Sequence, residues 1–198
     1  MTTKAVYVIG GAGTGKSTFT AELLSRIGHP EAGPGGLLDL YSKPNSRGTV
    51  ITLRGHQITD TRGREGLYLG CMRDEFPGTD GLDRVSYIPG EEWLTVADLP
   101  PFIVGEGATL SVRRFLFALD VFTDLLVVHL TTDELVKDIR LFQRGAGQDE
   151  KFIKATATRA ENLARDLQKQ GVSVAEAETS EAYDWVIALD TAVAHLGL

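Results

Sequence analysis

Residues Gly10-Gly11-Ala12-Gly13-Thr14-Gly15-Lys16-Ser17-Thr18 fit the pattern G-x-x-x-x-G-K-[ST], and their surroundings give the pattern its physical meaning. Ala5 to Ile9 (AVYVI) is a short apolar, β-branched run of the sort buried in a parallel sheet. Phe19 to Ile27 (FTAELLSRI) has the spacing of an amphipathic helix. Strand, glycine loop and helix N-terminus thus follow one another directly. Glycines let successive backbone N–H groups curl around phosphate oxygens in conformations that a Cβ obstructs, and the helix start adds the positive end of its dipole. Lys16 is placed to reach the β- and γ-phosphates, and the Ser17 hydroxyl to ligate Mg²⁺. The stretch Gly10 to Thr18 is therefore the expected cradle of a nucleoside triphosphate.

The remaining composition narrows the class. The chain has 198 residues, 42% of them hydrophobic, enough for a core in one domain. Its formal charge of −7 argues against a basic field that holds nucleic acid regardless of sequence. Cys71 is the single cysteine, which excludes an intramolecular disulfide framework and a cysteine-rich zinc site. No apolar run approaches the roughly 20 residues of a membrane span. The start, MTTKAVYVIGG, lacks the features of a signal peptide. A soluble cytoplasmic protein is expected, in the host cytoplasm if a phage encodes it.

Several kinds of triphosphate-binding protein lack support. There is no N-K-x-D or T-K-x-D tetrapeptide to read guanine and no serine-glycine signature of an ABC ATPase. The apolar run Phe102-Ile103-Val104 leads into Gly105-Glu106-Gly107 and not into the acidic strand end usual in AAA+ or RecA-type motors. Farther along, Leu125 to Leu130 reads as a buried strand. Thr131 or Thr132 then caps a helix with Asp133 and Glu134 in its first turn. Lys137, Arg140 and Arg144 follow at spacings of three and four, on one helix face, before Gly145-Ala146-Gly147-Gln148 ends the helix. The segment VVHLTTDELVKDIRLFQRGAGQ resembles the lid of nucleoside and nucleotide kinases. That resemblance implies that Arg140 and Arg144 close over the transferring phosphoryl group, a reaction catalysed mainly by positioning and charge stabilisation.

Two carboxylates are candidates for acid–base or metal work. Gly36 to Tyr41 reads as a second strand with Asp39 near its C-terminal end, where open α/β sheets place their ligands. Glu106, between glycines after an apolar run, is the better candidate for Mg²⁺, through water, or for touching the acceptor, and the two acids can exchange roles. Arg113 and Arg114 follow within reach of the same crevice. Arg54 to Pro101 is the least regular stretch and reads as an acceptor-binding insertion. Within it Phe76 is suited to stack a base, Thr79 or Asp80 to hydrogen-bond it, and Arg73 to hold a phosphate. The peptide EFPGTDGL resembles the F-[SP]-G-T-D-[AG]-L stretch of small P-loop kinases of actinobacterial phages. Toward the C-terminus, Asp149 to Gln170 is a long helix. The last strand lies either at Val172 to Val174, followed by a helix from Ser180 to Leu196, or at Trp185 to Leu189.

Taken together, these segments resemble the P-loop nucleoside and nucleotide kinases. The resemblance implies a three-layer α/β/α P-loop NTPase fold, with a mainly parallel sheet and a helical lid at about 137–150, in one domain spanning 1–198. It also implies ATP as donor, with GTP open, and Mg²⁺ as the metal. The chain departs from two known patterns: Glu106-Gly107-Ala108 replaces both the D-R-x of thymidylate kinases and the D-G-[FY]-P-R of adenylate kinases. The acceptor is then a free nucleoside or nucleotide, or a hydroxymethylpyrimidine already in DNA, for which Arg62, Arg64, Arg73, Arg113 and Arg114 would form a strand-binding track. A reading from another class is an NTPase module that regulates a protein partner. No membrane is involved, and a homodimer is allowed for.

Overall fold

The computed structural model describes residues 2–27, 36–72, 78–143 and 149–197. Strand β1 (Lys4–Gly10) lies inside a seven-stranded sheet, and helix α1 (Lys16–Arg26) follows it. Next come a hairpin of β2 (Leu37–Pro44) and β3 (Val50–Thr59), then β4 (Glu65–Leu69), α2 (Tyr87–Val96) and β5 (Phe102–Glu106). The second half contains α3 (Arg113–Phe122), β6 (Asp124–Thr131), α4 (Glu134–Gln143), α5 (Glu150–Lys169), β7 (Ser173–Glu178) and α6 (Ala182–His195). The sheet order is β2-β3-β4-β5-β1-β6-β7. The five strands from β4 to β7 in that order are mutually parallel; β3 pairs antiparallel with both β4 and β2.

Alternation along β1 builds the two sides of the core. Ala5, Tyr7 and Ile9 face Leu94, Phe115, Leu119, Leu163 and Leu167, which belong to α2, α3 and α5. Val6 and Val8 face Phe19, Leu23, Leu189 and Ala192 of α1 and α6. Each such buried side chain contributes roughly 1.5–3 kcal/mol, and both faces of β1 are sealed, so its carboxyl end is held rigidly. This is the three-layer α/β/α P-loop arrangement, with β5 and β6 on either side of β1. The loop after β1 therefore opens at the point where the strand order reverses.

Three expectations are corrected. Residues 54–101 contain most of β3, all of β4 and helix α2, where an irregular insertion was expected. The charged and polar residues interleaved along β3 conceal a strand whose Ile51, Leu53, His56 and Ile58 are buried. Pro89 and Gly90 likewise conceal a helix start, although proline is tolerated in a first turn that needs no N–H donor. The strand holding Asp39 runs on to Pro44, so Asp39 lies in its first half and not at its C-terminal end. Of the two placements for the last strand, the first holds, with Trp185 to Leu189 inside α6.

The β3–β4 turn is anchored by one buried acid. Asp60 accepts hydrogen bonds from Arg62 N (2.8 Å), Arg64 N (2.9 Å) and Arg64 Nε (2.6 Å). Arg64 and Arg62 also donate to the carbonyls of Leu196 and Gly197, tying the turn to the end of α6. Burial alone would raise the Asp60 pKa, but the hydrogen bonds from Arg64 and Arg62 and the Arg64 charge outweigh it and hold it below the ordinary carboxylate value. Its stabilisation is thus present at neutral pH and lost as pH falls through the depressed pKa. Asp60→Ala is expected to cost about 3 kcal/mol in urea unfolding at pH 7, a difference that shrinks as pH is lowered below about 4.

Candidate active site

The loop between β1 and α1 is shaped by its glycines. Gly13 (φ +80°) and Gly15 (φ +86°) are in the left-handed region, and a Cβ on Gly13 would come within 3.1 Å of Lys137 Cγ and 3.2 Å of Leu141 Cγ. Gly10, Gly11, Ala12, Gly13, Thr14 and Gly15 thus wrap the head of α1 beneath α4 and α5. Thr14 Oγ1 donates to Gly11 O (3.0 Å), and Lys16 Nζ donates to the same carbonyl (2.9 Å), so the lysine lies folded into the loop. Ala12 N donates to Thr156 Oγ1 of α5 at 3.4 Å.

Ser17 and Glu106 meet at the start of α1. Ser17 Oγ donates to Glu106 Oε2 (3.1 Å), and Tyr68 Oη donates to Glu106 Oε1 (3.3 Å). Glu106 is 2% exposed at the end of β5. Burial pushes its pKa up to about 7; the Lys16 charge and the Ser17 hydrogen bond pull against that, and the nearby Asp80 charge adds to it. A hydroxyl and a carboxylate converging at a helix N-terminus form a hard oxygen donor set of the type that fits Mg²⁺ beside phosphate.

The turn after Glu106 is stitched to the turn at Gly78–Gly81. Asp80 Oδ1 accepts from Ala108 N at 2.5 Å. Tyr7 Oη bonds both Thr79 Oγ1 (3.0 Å) and Gly107 O (3.1 Å), and Leu110 N donates to Thr79 Oγ1 (3.4 Å). Thr79 is fully buried, so its hydroxyl fastens the two turns together in place of the expected contact with an acceptor base. Asp80 is exposed beside it.

The other expected residues divide clearly. Asp39 is on the exposed outer strand, accepting from Arg54 Nε (2.7 Å). Three strand spacings, about 14 Å, separate β2 from the strand of Glu106, so Asp39 is not gathered with the loop. Arg113 pairs with Asp166 on α5, and Arg114 pairs with Glu91, which makes both of them ties between elements. Arg62 and Arg64 lie at the amino end of the parallel strands while α3 begins at the carboxyl end, so these arginines form no continuous track. Arg73, Phe76 and Arg144 lie outside the described residues.

Arg140 takes a different position from the one expected. Its Nη1 donates to Thr179 Oγ1 (2.7 Å) and more weakly to Gly13 O and Thr132 Oγ1 (3.4 Å each), and its Nη2 donates to Thr179 O (3.1 Å). These bonds fasten α4 to the β7–α6 turn and to the glycine loop, on the side away from Glu106. Helix α4 is capped by Asp133, whose Oδ1 accepts from Leu135 N (2.8 Å), and not by Thr131 or Thr132. Alongside Arg140 lies a cleft of about 300 Å³ lined by Gly15, Thr18, Gln143 and Trp185. Trp185 is fixed by a hydrogen bond from Nε1 to Glu22 Oε2 (2.9 Å) and by edge-on packing with Phe19. Sequence reasoning missed the placement of Trp185, Tyr68 and Thr156; Trp185 opens the apolar run Trp185 to Leu189, which suits a strand or a helix. It missed Arg159 as well, which lines a small cavity with Gly10, Ser111 and Thr156 on the opposite side of the loop.

A glycine loop at the switch point of a parallel sheet, with Lys137 and Arg140 of one helix leaning on it and a carboxylate behind its serine, is suited to phosphoryl transfer, and this chain is a P-loop kinase, a phosphotransferase that binds nucleotide. It belongs to the P-loop Nucleotide Kinase3 family, whose model matches residues 1–181. Among solved structures, the chain is similar to an unliganded sugar kinase from Janibacter sp. HTCC2649, with a TM-score of 0.51 and 17% identity over 98% of this chain and 95% of that one. At that identity the likeness concerns the fold. No curated protein matches the chain by sequence.

Gly78 tests the stitching. With φ +66°, a Cβ there would meet Glu106 Cγ at 2.5 Å and Glu106 O at 2.7 Å. Gly78→Ala is expected to cost about 2–4 kcal/mol in urea unfolding and to weaken nucleotide binding. Gly63→Ala, at φ +76° with nothing within 4 Å, is expected to cost only the backbone term of about 1 kcal/mol and to leave binding intact.

Proposed function

We propose that the chain transfers the γ-phosphate of ATP, by in-line displacement, to a free nucleoside-class acceptor, either a nucleoside or a nucleotide. The observation that carries this reading is the Ser17–Glu106 hydrogen bond, which sets a carboxylate from the neighbouring strand directly behind the serine of the phosphate loop. The loop N–H groups and Lys16 hold the triphosphate, and Ser17, with Glu106 behind it, would hold Mg²⁺. When bound, that ion supplies charge neutralisation on the phosphate oxygens. The cleft between Arg140 and Trp185 supplies two flat faces for a purine. Both faces suit either purine, so GTP is a second donor to compare.

A hydroxymethylpyrimidine in DNA remains the second acceptor, in keeping with the resemblance of EFPGTDGL to phage kinases. The separation of Arg62 and Arg64 from Arg113 and Arg114, together with the net charge of −7, favours the free small molecule. An NTPase module serving a protein partner would hydrolyse ATP and label no acceptor.

The test is transfer of γ-labelled phosphate to nucleosides, their monophosphates and hydroxymethylpyrimidine DNA, with Lys16→Ala as the blank. Label on a free acceptor, reduced at least a thousandfold in Lys16→Ala, is the expected result. Label confined to DNA would move the assignment to the base kinase. Trp185→Ala is expected to raise KM for ATP about tenfold with kcat little changed, since a stacking platform holds ground and transition states alike.

A further inference from the structure

The acceptor side of the loop differs from its base side in charge, and that difference speaks to what is phosphorylated. Among the described residues, Glu106 and Asp80 are the carboxylates there. Glu106 is enclosed, and each of its oxygens accepts a hydrogen bond, from Ser17 and from Tyr68. Asp80 is exposed, and its Oδ1 accepts from Ala108 N. Among the described residues, Asp80 makes no ion pair, and its Oδ2 accepts no hydrogen bond.

The position of Asp80 is fixed by backbone on both sides. Gly78 packs against Glu106, Gly107 packs against Asp80 so closely that a Cβ would come within 3.0 Å of Asp80 Oδ1, and the buried Thr79 hydroxyl locks the turn to Tyr7 and Gly107. A carboxylate held this way, one turn beyond the end of β5 and next to the Glu106–Ser17 pair, is a preorganised proton acceptor at the mouth of the phosphate site. An acceptor phosphate brought to the same place would carry its charge toward the exposed Asp80 carboxylate. Salt screens such like-charge repulsion only weakly at contact distance.

We infer that this kinase phosphorylates a hydroxyl group and not a phosphate, and that Asp80 is the general base for that hydroxyl. The inference deepens the proposed function and rests on it. In the step, the acceptor oxygen forms a bond to the γ-phosphorus as the bond from that phosphorus to the β,γ-bridging oxygen breaks. ADP leaves with the bridging electron pair, and the acceptor's proton passes to Asp80 Oδ2 and then to water. The products are a phosphate monoester, ADP and a proton.

The experiment compares wild type, Asp80→Asn and Asp80→Glu. The acceptors are nucleosides, 5-hydroxymethyl-2′-deoxyuridine, an oligonucleotide carrying the same base, and the nucleoside 5′-monophosphates, with γ-labelled ATP as donor and the products separated. Monoester from the nucleosides or the hydroxymethyl compounds, with no nucleoside diphosphate, is the expected outcome. Asp80→Asn keeps the oxygen that accepts from Ala108 N, so its melting temperature should stay close to that of wild type. Its kcat should fall at least a hundredfold while KM for ATP stays within twofold, and Asp80→Glu should recover part of the loss. A nucleoside diphosphate product, or an Asp80→Asn enzyme with more than a tenth of the wild-type kcat, overturns the inference and leaves the kinase reading standing. Binding of ATP without label on any acceptor overturns the proposed function, and the inference with it.

Discussion

The hydrogen bond from Ser17 to Glu106 joins the two chain segments on which the site depends. Ser17 is in the first turn of α1 and Glu106 closes β5, 89 positions away in sequence. Their meeting requires β5 to lie directly against β1, in the register that pairs Val8 with Glu106. That register is secured by alternating burial on both faces of β1, so a slip of one residue would turn the apolar set outward and draw Glu106 away from the loop. Burial of the carboxylate is itself unfavourable, as the raised Glu106 pKa shows, and the surrounding packing has to offset it. A cost of this kind, offset by the tight apolar core behind it, keeps the carboxylate fixed beside Ser17.

The loop divides its surroundings into two unlike halves. On one side Arg140, held by Thr179 and joined to the loop through Gly13 O, and Trp185 border a cleft. On the other, Glu106, Gly107 and Asp80 form a compact turn stitched by Tyr7 and Thr79. The first half belongs to the later part of the chain, α4 and the β7–α6 turn; the second to β5 and the segment before α2. Substitutions beside Arg140 and Trp185 can therefore leave the Glu106–Asp80 turn undisturbed, because the two share no hydrogen-bond partner among the described residues.

What the sequence revealed follows from how local each feature is. The phosphate loop was readable because strand, glycines, lysine and helix are contiguous, and the strand and helix from Leu125 to Gln143 were readable for the same reason. The place of Glu106 at a strand end was legible because it closes an apolar run between glycines. Asp39 misled because its distance from Lys16 along the chain says nothing of the strand order, and the β2–β3 hairpin carries it to the outer edge. The burial of Thr79 depends on Tyr7, 72 positions away, and no local pattern encodes that pairing. Arg140 lies on the helix face expected of it, yet its partner Thr179 sits on a turn that could be placed only once the last strand was known. Trp185 was hidden because an apolar run of that length suits a strand and a helix equally.

Charge is the remaining constraint. A chain with a net charge of −7 repels a triphosphate at long range, so the favourable field must be local. The start of α1, Lys16, Arg140 and Arg159 place positive charge around the loop, and Lys137 lies buried along Gly13, its own charge balanced by Glu134. At physiological salt the Debye length is about 8 Å, so the distant acidic surface is screened while groups in contact with the phosphates are not. Recognition of the donor is thus a short-range matter, decided within one or two side-chain lengths of the loop. The same short range keeps the exposed Asp80, on the far side of the turn after Glu106, from cancelling the attraction at the loop.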